Sequence, residues 1–238
     1  LENSHIKKYK SVIKNVFFYG AGCSTTKQKS IIKKPLIIFF NNAKINIGDD
    51  LEAACFASSN KQPNITCILG TGSNSCFYDG KKIIENKPSL GFILDDIASG
   101  NYFGKKIIKY YFNNILFKEI EKKLKKDYVT NIIEIRNNIY NNRKANIFLS
   151  KYFPFIVENK NHPIINNLIN STLNKFIINN IKYYKNYKKV KINFTGSVAF
   201  YLSNEIRLAL KNHNLRIGKV TKNPIKGLAN FHKTILVK

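Results

Sequence analysis

An α/β fold follows from two features of the sequence. Apolar runs of strand length stop at glycine turns, and helical periodicity fills the intervals between them. Its 238 residues also suffice for a buried core without disulfides, as one large domain or two small ones. Residues 15–19 end at Gly20-Ala21-Gly22. Ile45-Asn46-Ile47-Gly48 runs into Asp49-Asp50 as a strand-to-helix junction, and the spacing predicts a helix over 49–59 with either aspartate at its start. Residues 64–69 end at Gly70-Thr71-Gly72, and residues 75–78 meet Asp79-Gly80, a hairpin signal with 82–84 as the return strand. Long helices are predicted over 99–126 and 163–184, while 124–161 is Asn-rich and has no clear period. The strand at 190–194 meets Thr195-Gly196-Ser197, and helices at 198–210 and, after Pro224, at 225–231 complete the alternation.

The formal net charge is +26, yet the chain holds 36 Lys, 35 Ile and 33 Asn against 4 Arg. Lys, Ile and Asn have AT-rich codons, so drift in an AT-rich genome accounts for the charge. A surface that reads phosphates uses Arg forks as well as Lys, which argues against a nucleic-acid partner. The longest aliphatic-aromatic run, residues 36–40, is far short of the ~18 residues that span a bilayer. Leu1-Glu2-Asn3-Ser4-His5 lacks the features of a signal peptide, so no membrane is expected and the expected compartment is the cytoplasm. The absence of Met and the leading Leu read as a fragment, a processed product or a non-standard start. Cys23, Cys55, Cys67 and Cys76 form no Cys-x-x-Cys pair, and free buried thiols are expected. His5, His162, His213 and His232 are scattered, and no set of metal ligands is assigned.

Paired glycines in Gly70-Thr71-Gly72-Ser73-Asn74 let a ligand approach the backbone, and Thr71, Ser73 and Asn74 add side-chain donors. The segment reads equally as a small-residue hairpin. No Walker A lysine follows it. Gly196-Ser197, between a strand and a helix, is a second such corner. Asp49 and Asp50 serve as a helix cap, or as a carboxylate at the sheet edge able to take a proton from a hydroxyl. Asp95-Asp96 offers helix-start charges, or ligands for sugar hydroxyls or a metal.

Read in order, several motifs combine. They are Tyr19-Gly20-Ala21-Gly22-Cys23, Gly48-Asp49-Asp50-Leu51-Glu52-Ala53-Ala54, Gly70-Thr71-Gly72-Ser73-Asn74-Ser75-Cys76 and Pro88-Ser89-Leu90-Gly91-Phe92-Ile93-Leu94-Asp95-Asp96 with Ser99-Gly100. Phe194-Thr195-Gly196-Ser197-Val198-Ala199 and Asn223-Pro224-Ile225-Lys226-Gly227-Leu228 close the series. In this order the chain resembles the N-acetylglucosamine kinase branch of the BadF/BadG/BcrA/BcrD ATPase family, with a poor match over 124–192. The resemblance implies a two-domain actin-like ATPase fold of ribonuclease-H-like topology, closing over ATP and a sugar. Residues 1–62 would be what remains of the first domain, with 223–238 packing back on it, and 63–222 would be the second. ATP, Mg²⁺, an amino-sugar substrate and a homodimer are implied with it. So are Asp49 as the base for the sugar 6-hydroxyl, and Gly70, Thr71, Gly72 and Ser73 at the nucleotide phosphates. Thr71, Gly72, Asn74, Asp96 and Gly100 would line the sugar pocket, and Gly196 and Ser197 would lie against the adenosine.

Three departures accompany the likeness. The family opens with an acidic, glycine-rich phosphate loop, whereas only a short basic segment precedes the strand at 15–19. An incomplete first domain, an unpaired sheet edge and weak ATP binding are expected from this. The family's Gly-Asp-Glu-Gly-Ser-Gly is here Asp95-Asp96-Ile97-Ala98-Ser99-Gly100, so Ile97 accepts no hydrogen bond, and Asp95 and Ala98 add Cβ atoms. Glu52 puts a like charge where the family has glycine beside the base. The expectation is an amino-sugar kinase that is weak or inactive as it stands. Two alternatives are an activator ATPase of a 2-hydroxyacyl-CoA dehydratase, which would hold an iron–sulfur cluster between subunits, and a non-catalytic basic binding protein. The latter's stacking platform would be Lys182-Tyr183-Tyr184-Lys185.

Overall fold

The computed structural model describes residues 4–59 and 61–236. Residues 1–3, 60, 237 and 238 of the expected domain segments lie outside the described residues. After α1 (Ser4–Tyr9) comes β1 (Asn15–Gly20), then α2 (Thr26–Phe39), then β2 (Lys44–Asp49). β2 pairs with β1 in parallel, with Gly20 opposite Asp49. Among the described residues this first sheet has two strands. α3 (Asp50–Ser58) follows without a loop.

The second sheet begins with an antiparallel meander, β3 (Asn64–Leu69), β4 (Ser73–Tyr78) and β5 (Ile83–Asn86). A helical region follows, comprising α4 (Gly91–Leu94), α5 (Gly100–Phe112), α6 (Lys118–Asp127), α7 (Ile132–Tyr140), α8 (Ala145–Ser150), α9 (Phe153–Glu158) and α10 (Pro163–Phe176), which ends in a π turn at Ile177–Ile181. The chain returns through β6 (Lys191–Thr195), α11 (Ser197–Tyr201), α12 (Ser203–Asn212), β7 (Arg216–Thr221) and α13 (Ile225–Leu236). The strand order β5-β4-β3-β6-β7, with β6 and β7 parallel to β3, is a ribonuclease-H-like sheet. Its central strand is covered on both faces, so Ile65, Cys67 and Leu69 join Phe103, Ile169 and Phe194 in one core. That is why residues 64–69 read as a mainly apolar run, with Asn64 and Thr66 also buried.

Two of the long helices expected from the sequence are interrupted. α5 ends in a Schellman closure, with Asn114 at φ 54, its N–H on the Tyr111 carbonyl and that of Ile115 on Tyr110. Asn214 ends α12 in the same way, at φ 56. Asn tolerates this left-handed turn, which periodicity alone does not reveal. The helix expected at 198–210 breaks at Leu202 into α11 and α12. α2 and β7 were not expected. α2 buries no residue and rests on a Thr25–Gln28 capping box, while β7 is a lateral strand interrupted by Gly218.

α13 lies against α3 and β1. Leu228 joins Ala53 and Ala57 in a small core, and Phe231 stacks on Phe56 at 4.5 Å. A Cβ on Gly227 would stand 2.9 Å from the Ala57 Cα, so glycine permits this approach. His232 stacks on Phe17 at 3.7 Å, and its Nε2 is 2.9 Å from the Tyr19 hydroxyl. Its Nδ1 is buried without a partner, and burial lowers its pKa. Folding therefore favours neutral His232. The unfolded chain binds the proton first as pH falls below about 6.5, so the contribution is complete above that value and lost below it. A lower melting temperature at pH 5 than at pH 7.5 is expected, and the difference should shrink in His232→Gln.

All four cysteines are free and buried. Cys55 Sγ lies 3.3 Å from Cys76 Sγ, a thiol contact between α3 and β4. Burial raises the Cys67 pKa, and the contact with Cys55 together with burial raises that of Cys76. An aromatic disulfide reagent at pH 8 should react slowly with the native protein and promptly with all four thiols after denaturation. Thiols enclosed in this way present no surface for a cluster shared between subunits. Nor is the Lys182–Lys185 run an exposed stacking platform. Tyr184 is in the core, with its hydroxyl 2.9 Å from Ser75 Oγ and accepting from Lys87 N–H at 3.2 Å. No helix among the described residues is long and apolar enough to cross a membrane.

Candidate active site

The carboxyl ends of β1, β2 and β3 meet at a cleft of about 680 Å³, where ligands of α/β sheets bind. Asp49, Gly70, Thr71, Gly72, Ser73, Asn74 and Asp96 all line it. Asp49 is the last residue of β2 and the N-cap of α3. Its Oδ1 accepts the Glu52 N–H at 2.8 Å, while Glu52 Oε2 accepts the Asp49 N–H at 3.0 Å. The like charge expected beside the base is thus folded back into a capping box, with Lys29 Nζ 3.7 Å from it.

On the opposite wall, the turn after β3 is held from behind by the N-terminus of α5. The Gly70 carbonyl accepts from Gly100 N–H at 2.7 Å and the Thr71 carbonyl from Asn101 N–H at 3.1 Å. The N–H groups of Thr71 and Gly72 have no protein acceptor among the described residues. A Cβ built on Gly70 would meet nothing within 4 Å, so the space beside the turn is open. Asp96 sits at φ 58, with Oδ1 accepting from Ser73 N–H at 3.1 Å. A Cβ on Gly72 would stand 2.9 Å from Asp96 Oδ2, so glycine there makes room for the carboxylate.

Three of the expected residues lie outside the cleft lining. Gly100 is buried behind the turn, where a Cβ would stand 3.0 Å from that of Ser150. Gly196 and Ser197 form the corner between β6 and α11, and Gly196 abuts the Leu69 and Gly70 backbone. Asp95 turns away to pair with Lys87 at 2.8 Å. Ile97 and Ala98 are buried in the main core, and Ala98 sits at φ 63.

The sequence offers both Asp49 and Asp50 as a cap or a sheet-edge carboxylate, with the base role implied for Asp49 alone; Asp50 lines the cleft beside it. Burial raises its pKa, and the charge of Asp49 adds to the effect. The Asp49-Asp50 doublet carries the signal, as a helix start or a sheet-edge carboxylate. Asn146 also reaches the cleft, from the Asn-rich region where no periodic signal marked it.

A glycine turn with unpaired N–H groups fits nucleotide phosphates, and two adjacent carboxylates lining one cleft fit a cation, whose charge would relieve their repulsion. Asp50 would hold Mg²⁺ together with the phosphates, since this ion binds through one or two carboxylates and keeps several waters.

A ribonuclease-H-like sheet, a two-stranded sheet ending in a cap aspartate and a glycine turn on the shared cleft define the class: the chain has the fold of the actin-like sugar-kinase ATPases. Among solved structures, it is similar to a Porphyromonas gingivalis protein provisionally assigned as an N-acetylglucosamine kinase. The two share 29% identity and a TM-score of 0.92, over 96% of this chain and 81% of that one. A Chromobacterium violaceum protein with the same provisional assignment shares the fold at a TM-score of 0.66 and 13% identity, over 90% of this chain and 75% of that one. No family model and no curated protein matches the chain.

Proposed function

We propose that the chain is an ATP-dependent amino-sugar kinase that transfers the γ-phosphoryl group to the 6-hydroxyl of N-acetylglucosamine. One observation carries this reading: the cap aspartate Asp49 and the open Gly70–Gly72 turn line the same cleft. ATP, when bound, supplies the transferable phosphoryl group. Asp49 accepts the proton as the hydroxyl oxygen forms its bond to phosphorus. The N–H groups of Thr71 and Gly72 bind phosphate oxygens, and Gly196 with Ser197 borders the nucleoside. Asp96 and Asn74 bind the sugar, Asp96 as an acceptor for its hydroxyls. Positioning and charge stabilisation suffice for phosphoryl transfer, so no covalent intermediate is needed. The buried Ile97, in place of an acidic residue, predicts slow turnover.

The test is a coupled ADP-release assay with Mg-ATP and N-acetylglucosamine, glucosamine, glucose or no sugar. ADP release greatest with N-acetylglucosamine supports the proposal. Release that ignores the sugar, or none from folded protein, overturns it.

A further inference from the structure

Asn101, the second residue of α5, is fully buried one layer behind the cleft. Its Nδ2 is shared between Asp96 Oδ2 at 2.7 Å and the Thr71 carbonyl at 2.6 Å. Both partners are acceptors, so the amide can meet them only with its nitrogen. That orientation leaves Oδ1 buried with no hydrogen-bond partner. An unpaired buried acceptor opposes folding, and a residue kept only for packing would carry no such group. What the amide supplies is a tie between the two sides of the site. It joins the carboxylate that meets a ligand's hydroxyls to the turn that meets its phosphates. With Ser73 N–H on the other oxygen, both Asp96 oxygens are held at a left-handed residue, and the remaining lone pairs are available to the cleft.

We propose that Asn101 is a positioning residue that sets Asp96 and the Thr71–Gly72 turn for a polyhydroxylated ligand. The proposal rests on the kinase reading for the identity of that ligand. It requires the donor at Nδ2, and Asn101→Asp exchanges that donor for a carboxylate of the same shape. Two carboxylates at this distance cannot both ionise, so the variant and Asp96 share a proton. Protonated, the new side chain again donates to Asp96, although its single O–H leaves the Thr71 carbonyl without that donor; ionised, it repels both. The other charged groups nearby are Lys105, which senses both Asp95 and Asp96, and the Lys87–Asp95 pair. Asp49 and Asp50 line the same cleft. Dividing each variant value by the wild-type value at the same pH removes their common effect.

N-acetylglucosamine binding is measured by calorimetry at pH 5 and pH 8. Asn101→Asp should bind closer to the wild-type level at pH 5 than at pH 8, where binding at least about tenfold weaker than wild type is expected, as one lost charge-assisted hydrogen bond implies. Asn101→Leu, which removes both the donor and the orphaned acceptor, should bind weakly at both. A variant-to-wild-type ratio independent of pH, or wild-type binding by Asn101→Leu, overturns the proposal. A second readout needs no ligand. Exchange of the Ser73 amide proton should be faster than wild type in Asn101→Asp at pH 8 but not at pH 5, with the core Ile65 amide unchanged. If wild-type protein binds no sugar, the kinase reading fails and Ser73 exchange alone decides: unchanged exchange overturns the positioning role, and the stated change supports it.

Discussion

Asp49→Asn is expected to lower sugar-dependent ADP release by about 10²–10⁴-fold, the range that general-base removal covers, with little change in melting temperature. Asparagine is the informative replacement because Asp49 also caps α3 through its bond to the Glu52 N–H. Asn is as good an N-cap as Asp, whereas Ala would cost about 1 kcal/mol of stability and confound the two roles. Asp50→Asn is the companion variant. Burial and then the charge of Asp49 raise the Asp50 pKa, and a bound cation would favour its ionised form, the form that can hold Mg²⁺. A smaller loss of rate is therefore expected, with weaker Mg²⁺ dependence. If Asp50→Asn abolishes turnover and Asp49→Asn does not, the base assignment is reversed.

The second large effect is at Gly196. Its φ of 122 and ψ of 166 fall in a region open essentially to glycine, and an added Cβ would fall on the Leu69 carbonyl, 2.7 Å from its carbon and 3.2 Å from the Gly70 nitrogen. All three atoms are backbone and cannot turn aside. Gly196→Ala should cost about 2–4 kcal/mol from strain and overpacking combined. For a chain of this size that lowers the melting temperature by roughly 4–16 °C in a thermal scan. Gly70→Ala provides the contrast, since its Cβ would meet nothing. It should melt as wild type yet bind Mg-ATP poorly, because the methyl group takes the space beside the phosphate turn. If the two variants exchange behaviours, the assignment of the turn is wrong.

Much of the fold was legible because burial leaves marks in a linear chain. β3, covered on both faces, reads as a mainly apolar run ending at glycine, and α3 begins at an aspartate that can cap it. α2 was hidden because it buries nothing, and β7 because a lateral strand broken by Gly218 has no run to show. The break after α5 depends on a single asparagine in a left-handed turn, a conformation that composition does not announce.

The same division runs through the site. Asp49, the Gly70–Asn74 turn and Asp96 could be picked out from the sequence because a cap aspartate, paired glycines and an acidic doublet are local features, made specific by their order. Only the tertiary structure separated Gly100, which supports the turn, from Gly72, which makes room for Asp96. It also placed Asp50 in the cleft and Asp95 in an ion pair, though both belong to look-alike doublets. Asn101 carried no signal at all, one asparagine among 33. Its role arises because the Thr71 carbonyl and the Asp96 carboxylate, 30 and 5 residues away, converge on one buried amide. Local residue types determine which groups are available. Which of them face the ligand depends on hydrogen bonds between distant segments, which no local pattern encodes.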